Sequence, residues 1–169
     1  AQRLRRETTA EVLFDEFSRG LYSTDASIYQ IKPLGVVVPK TEEDVLATLS
    51  IANDTGVSVT MRGGGTSQCG QTVGEGIIVD VSKHLNRLIS VDPETRRAVV
   101  QPGIVLDQLN ALLKPHRLFF PVDVSTSSRA TIGGMTANNS CGARSIRYGK
   151  MVDNVRAVDA VLADGNHMH

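Results

Sequence analysis

Three adjacent glycines, Gly63-Gly64-Gly65, stand between Arg62 and the pair Thr66-Ser67. Without β-carbons the chain can turn successive backbone N–H groups toward one concave face. Such a face suits an anion, because hydrogen bonds to a phosphate are charge-assisted. Arg62 adds positive charge, and Thr66 and Ser67 add hydroxyl donors. The run Val57 to Met61 that precedes the glycines reads as a strand, so a sheet would fix the aim of the loop.

The familiar phosphate loops do not fit this stretch. Gly65 to Thr72 matches the glycines and the threonine of the nucleotide-triphosphatase loop but has Gln71 where the phosphate-reaching lysine belongs. The dinucleotide fingerprint fails at Gln68, where a third small residue would be required. A flexible surface loop is the bland alternative. Against it stand the preceding strand, the adjacent arginine and a second glycine-rich stretch at residues 131–142.

The chain has 169 residues, enough for one domain or two small lobes, with 18 basic and 18 acidic side chains. A balance of zero argues against a nucleic-acid surface, which needs clustered cations. No apolar run approaches the roughly 20 residues that span a bilayer, and the N-terminus does not resemble a secretory signal. Cys69 and Cys141 are the only cysteines, so a disulfide framework is not expected and a reducing, cytoplasmic setting is.

Read in order, Leu4, Val12, Leu13, Phe14 and Phe17 suggest one helix ending near Gly20, its arginines on a solvated face. Tyr22 to Tyr29 reads as a surface connection, with approach of its tyrosines to a ligand as the alternative. Gly35 to Val38 is a short apolar run expected of a strand buried on both faces. Thr41 caps the next helix, with Val45, Leu46, Leu49 and Ala52 inward and Gly56 as the stop. Strand, helix and strand then form a βαβ unit, which puts the glycine loop beyond the carboxyl end of a parallel strand. Gly76 to Val81 is a further strand. A hairpin turns at Asp92 to Thr95, and a helix spans about Ile104 to Lys114 with Val105, Leu109, Leu112 and Leu113 inward. Thr131 opens a short helix, and Val155 to Leu162 is a last strand before a turn at Asp164-Gly165. The chain stops before a returning strand is expected, as a fragment would. His84 and His116 read as capping or exposed groups. His167 and His169 have metal-like spacing, but no metal site is expected at this terminus.

Together, Val36-Val37-Val38-Pro39, Arg62 to Ser67, Gln101-Pro102-Gly103, Pro121-x-Asp123, Thr131-Ile132-Gly133-Gly134, Asn139-x-x-Gly142, Tyr148-Gly149 and Leu162 to Gly165 resemble the FAD-binding domain of the vanillyl-alcohol oxidase type among the FAD-linked oxidases. The most similar branch is that of the D-2-hydroxyacid dehydrogenases: the glycolate-oxidase FAD subunit and the D-lactate and D-2-hydroxyglutarate enzymes. Tyr22 to Tyr29 and Ser67 to Thr72 look most like bacterial members fused to an iron–sulfur portion.

The resemblance implies an α+β, two-lobed FAD-binding domain, truncated at its C-terminus. Residues 1–32 would be an N-terminal helix and connection. Residues 33–82 would be a small parallel α/β lobe, and 83–169 a lobe with a mainly antiparallel sheet. The implied cofactor-binding residues are Pro39, Arg62, Gly63, Gly64, Gly65, Thr66, Ser67, Gly70, Gln71, Pro121, Asp123, Thr131, Ile132, Gly133, Gly134, Asn138, Asn139, Ser140, Gly142, Tyr148, Gly149 and Val155. The loop amides would hold the pyrophosphate, and the 131–142 stretch would wrap its other flank and the ribityl chain. Pro39 and Val155 would touch the adenine side. Thr66 stands where covalent members carry a flavin-linking histidine, so the implied FAD is non-covalent.

The family takes a hydride from a D-2-hydroxyacid to the flavin and passes electrons to a separate acceptor. Substrate, acceptor and any iron–sulfur cluster would belong to parts of the parent protein outside this chain. The parent would be cytoplasmic, meeting the inner membrane only through its acceptor. Arg144 and Arg147 could stabilise negative charge or form surface ion pairs, and no residue is assigned as the catalytic base. Cys141 departs from the glycine of many relatives. The absent later FAD contacts leave a second expectation open, a non-catalytic fragment holding FAD weakly or not at all. A peptidoglycan-precursor reductase shares the fold class but needs NADPH and other motifs, and the Thr131 to Tyr148 run speaks against it.

Overall fold

Gly35–Val38 (β2) is buried at every position, as an apolar run with no polar face must be. In the computed structural model, which describes residues 1–169, it pairs in parallel with Ile77–Asp80 (β4), also buried throughout. Val59–Arg62 (β3) lies parallel to the far side of β4, and Glu11–Leu13 (β1) closes the other edge antiparallel to β2. The order is therefore β1-β2-β4-β3. The expected βαβ unit is opened by β4, which inserts between its two strands. The connection from β3 to its parallel neighbour β4 is the glycine loop itself, a crossover built without the usual helix.

The N-terminus departs from the single helix expected. Gln2–Glu7 (α1), β1 and Glu16–Leu21 (α2) replace it, with Gly20 inside α2. Thr9 breaks the run, because its amide and hydroxyl donate to the carboxylate of Asp44. Val12 is then drawn into register with Val37 along an open sheet edge. Asp15 caps α2 through the Ser18 amide.

The helix Glu42–Thr55 (α3) has the expected Thr41 cap, and Gly56 ends it at φ 64°. Its buried face is Thr48, Ile51 and Ala52, with Val45, Leu46 and Leu49 only half-buried. Asp44 is buried too: although burial opposes its charge, the amides of Lys40, Thr9 and Thr41 hold its carboxyl below the ordinary range.

Leu88–Asp92 (β5) and Arg97–Val100 (β6) form the expected hairpin, with Asp92 accepting from the amides of Glu94 and Thr95. Leu106–Leu113 (α4) buries Leu106, Leu109 and Leu113, and leaves Leu112 49% exposed, against expectation. A single 3-10 turn, Lys114–His116, follows, and His116 is exposed. Ile132–Ala137 (α5), Ser145–Tyr148 (α6) and Met151–Asn154 (α7) are short. The expected last strand shrinks to Ala160–Val161 (β7), because nothing pairs with residues 155–159. A returning pair, His167–Met168 (β8), does form around Gly165, contrary to expectation. No helix is long and apolar enough to cross a membrane.

Apolar packing gathers around two regions. Leu4, Val37, Ile51, Ile77, Val79, Val81 and Leu85 fill one face of the four-stranded sheet, and Val36, Val38 and Ile78 lie on the other. Ile104, Leu106, Leu109, Leu113, Val122, Ile132, Met135 and Met151 form a separate cluster. Gly103 joins the two regions. Its amide donates to the Leu85 carbonyl at 2.7 Å, and a β-carbon there would lie 2.1 Å from the Val81 carbonyl oxygen.

Candidate cofactor site

Arg62 ends β3 at the carboxyl edge of the parallel strands, opposite Asp80 of β4. Its guanidinium donates to the carbonyls of Thr24 at 2.9 Å and Thr72 at 3.3 Å. It also lies 5.3 Å from the ring centre of Tyr22. The Tyr22 hydroxyl donates to Asp80 at 2.7 Å. Burial, then the Asp80 carboxylate, push the phenol well above its ordinary value. The charge that the sequence offers to a phosphate is therefore engaged in fastening the loop.

The amides are what the loop offers. The backbone N–H groups of Gly63, Gly64, Gly65, Thr66, Ser67 and Gln68 donate to no acceptor within the chain. Gly65 adopts φ 64°, where a β-carbon would lie 2.5 Å from the Arg62 guanidinium. The Ser67 hydroxyl oxygen accepts from the amides of Cys69 and Gln71 and rounds the turn. Gly70, at φ 75°, lies against the ring of Tyr29. Cys69 and Cys141 are exposed free thiols.

The second glycine-rich stretch is in direct contact with the first. A β-carbon on Gly63 would fall 2.1 Å from the Thr131 hydroxyl oxygen, and one on Gly64 would fall 2.2 Å from the Arg129 carbonyl oxygen. Gln71 donates to the Asn138 side chain at 3.2 Å. A polar cleft of about 390 Å³ opens beside Gly63 and Gly64, bounded by Tyr22, Asp80, Ser128 and Arg129 among others. A larger cavity of about 490 Å³ lies elsewhere, between α1 and α3, and is mostly apolar.

The 131–142 stretch differs from the first loop in what it leaves free. Thr131 caps α5 by accepting from Gly134, and the amides of Ile132, Gly133 and Met135 donate to Ile104, Pro102 and Thr131. Those of Asn138, Asn139 and Ser140 donate to Gly134, Thr136 and Met135, and that of Gly142 donates to the Ser145 hydroxyl. This flank accordingly presents side chains and carbonyls rather than a second row of amides.

The other residues singled out in the sequence fall into several settings. Pro39 is fully buried and Ile132 nearly so, so both pack the interior. Asp123 accepts from the Arg144 amide at 2.9 Å and lies under Gly142, while Pro121 is half-buried. Asn139, at φ 45°, accepts from the Val152 amide. Tyr148 packs edge-on against Phe119, with Arg147 over its ring. Gly149, at φ 80°, lies against Asp153, and the half-buried Val155 joins the α4–α5 cluster. His84 lies 2.8 Å from Glu11, and His169 lies beside Asp159.

Sequence reasoning missed the part played by residues 22–30, which lie along the glycine loop. The cluster of Ser, Thr and Asp there was a signal for side-chain-to-backbone turns, but nothing in it names a partner about 40 residues away.

The FAD binding domain family matches residues 33–169. The chain is 41% identical over 162 residues to a D-2-hydroxyglutarate dehydrogenase of Pseudomonas putida, covering 94% of this chain and 16% of that protein. It is 40% identical over 132 residues to a D-lactate dehydrogenase of Archaeoglobus fulgidus, covering 77% of this chain and 29% of that one. Among solved structures it superposes on Physcomitrella patens BBE-like 1 with a TM-score of 0.84 at 24% identity, over 98% of this chain and 36% of the other. That likeness concerns the fold. The chain belongs to the FAD binding domain family, and it spans a small part of the length of the dehydrogenases it matches.

Proposed function

We propose that this chain is the FAD-holding portion of a dehydrogenase that oxidises the CH–OH carbon of a D-2-hydroxyacid and passes electrons to a separate acceptor. The observation that carries the reading is the row of backbone amides from Gly63 to Gln68, free of partners in the chain at the carboxyl end of β3. Its donors are neutral and closely spaced, and the adjacent Arg62 guanidinium is already engaged. Such a set fits a diphosphate, whose oxygens accept from backbone N–H groups without requiring an ion pair. The similarity to the D-2-hydroxyglutarate and D-lactate dehydrogenases supports the substrate class.

In this reading Gly63 to Ser67, with Gly70, hold the diphosphate, and Arg62 orients the loop from behind. Thr131 and Gln71 line the opposite flank, with Asn138, Asn139 and Ser140 toward the ribityl chain. Bound FAD would supply the acceptor for the substrate's hydride. The glycine-rich half of the domain is residues 33–82, and the half that leans on it is residues 83–169. Thr66, in the place of a linking histidine, leaves the flavin dissociable. The substrate contacts, the base and the electron acceptor are assigned to the remainder of a longer protein, working in the cytoplasm.

A second reading, a nucleotide-binding piece with little affinity of its own, is favoured by the internally bonded amides of residues 131–142. Titration of the purified chain with FAD, followed by flavin fluorescence, separates the two. Saturable quenching and a bound-flavin absorbance spectrum support the first reading, and no uptake at high micromolar FAD supports the second. Acid precipitation of the loaded chain tests the linkage: yellow supernatant fits dissociable flavin, and a yellow pellet contradicts it.

A further inference from the structure

The family match begins at residue 33, yet the shape of the phosphate loop is held from outside it. We infer that residues 22–30 form a strap whose role is to keep the glycine loop in its donor-presenting shape, with Asp25 and Thr72 as positioning residues for the cofactor. The inference rests on the FAD-holding role proposed above.

Four contacts carry it. The Ala26 amide donates to the Gly65 carbonyl at 3.1 Å. Gly65 is thereby tethered on its carbonyl side while its own amide stays free. The Thr24 carbonyl accepts from Arg62 at 2.9 Å. The Thr72 hydroxyl donates to one oxygen of Asp25 at 3.0 Å, and the other oxygen accepts from the Ser27 amide at 2.8 Å. The Tyr29 ring occupies the space beside Gly70. The strap thus touches the loop at its start, middle and end, and every contact avoids the amides from Gly63 to Gln68.

A loop of glycines has much conformational entropy to lose on binding. Ordering it beforehand transfers that loss from the binding step to folding, which raises affinity. The strap closes on itself through the Ile31 amide, which donates to the Ser23 carbonyl at 2.9 Å. It therefore acts as a formed turn rather than a loose tail.

The test uses the full chain with Thr72→Val, which removes the hydroxyl donor at nearly constant volume, Thr72→Ser, which restores it, and Asp25→Ala. Two readouts are taken beside the melting temperature. One is the rate of tryptic cleavage after Arg62 in the absence of flavin, mapped by mass spectrometry. The other is the FAD dissociation constant. A hydrogen bond to a charged acceptor is worth roughly tenfold in an equilibrium constant. Thr72→Val is accordingly expected to raise both the cleavage rate and the dissociation constant about fivefold to tenfold, with a fall in melting temperature of only about 2–5 °C and with recovery in Thr72→Ser. Unchanged cleavage and unchanged affinity would overturn the strap, as would a fall in melting temperature well beyond that range, which marks general unfolding as the cause. If the wild-type chain takes up no FAD, the proposed function fails, and the cleavage comparison still decides the strap. If Asp25→Ala does not fold, the comparison of Thr72→Val with Thr72→Ser decides it alone.

Discussion

Gly63 packs so closely on Thr131 that a β-carbon would stand 2.1 Å from the threonine hydroxyl oxygen. That contact brings two glycine-rich stretches, far apart in the sequence, into one site. It also tells which of the neighbouring glycines tolerates a side chain least. Gly64 meets the backbone carbonyl of Arg129, which cannot rotate away as a side chain can. Gly64→Ala should therefore cost more stability than Gly63→Ala, each on the order of 1–3 kcal/mol as overpacked positions do. Chemical denaturation of both variants checks the ranking. Thr131→Ala has its own cost, because it removes the cap of α5, but in that background Gly63→Ala should cost less than in the parent chain and Gly64→Ala should cost the same.

Asp44 contributes to the acid limb of stability. The residue is 4% exposed, and burial works against its charge, but the amides of Lys40, Thr9 and Thr41 outweigh burial and hold its carboxyl below the ordinary 3.8. A group depressed on folding stabilises the native state above its unfolded value, and that contribution is lost as pH falls through the lower folded value. Asp44→Asn should cost about 2–3 kcal/mol near neutral pH, since several amides lose a charged acceptor. Its stability should also vary less with pH below about 4 than that of the parent chain. Urea melts from about pH 7 down to about pH 2.5 test both.

Tyr22 contributes to the alkaline limb. Burial and Asp80 raise its phenol above the ordinary 10.0. Its contribution is complete below that value and declines as pH climbs above it toward the folded value. Tyr22→Phe should lose about 1–2 kcal/mol from the missing hydrogen bond. It should also lack the tyrosine share of the fall in stability above about pH 10, which alkaline titration of the melting temperature measures.

Much of this arrangement was legible in the sequence, for local reasons. Thr41, Gly56, Thr131 and Asp92 act through residues a few positions away, so their chemistry can be read from neighbours. Gly35 to Val38 announces a buried strand because no polar alternation is present. What was hidden depends on distant partners. Val12 and Leu13 suit a helix face or a strand, and only the open edge of β2 decides for the strand. The burial of Asp44 on α3 is matched by donors on Thr9, 35 residues away. The engagement of Arg62 needs carbonyls at Thr24 and Thr72. Residues 155–159 are apolar enough for a strand but have no neighbour to pair with.

Arg62 offers a contrast between binding a ligand and fastening a loop. Because its guanidinium is held by two carbonyls and the Tyr22 ring, Arg62→Lys should loosen the loop rather than delete a phosphate contact. Lysine cannot reach both carbonyls with a planar fork. The dissociation constant for FAD should rise by about tenfold, with a salt dependence like that of the parent chain. The charge-neutral Arg62→Gln separates the two roles: a fastening arginine leaves the salt dependence of FAD binding like that of the parent chain, whereas loss of a direct ion pair to the diphosphate would make it clearly smaller.

The proposed diphosphate contact is made by the backbone amides of Gly63 to Ser67, with Gly70. Nitrogen-15 NMR of the labelled chain tests it directly, by titration with FAD and separately with ADP. The account predicts that both ligands shift the loop amides strongly and those of Ile132 to Met135, already bonded within the chain, much less. Saturable FAD binding with the loop amides unmoved would contradict it.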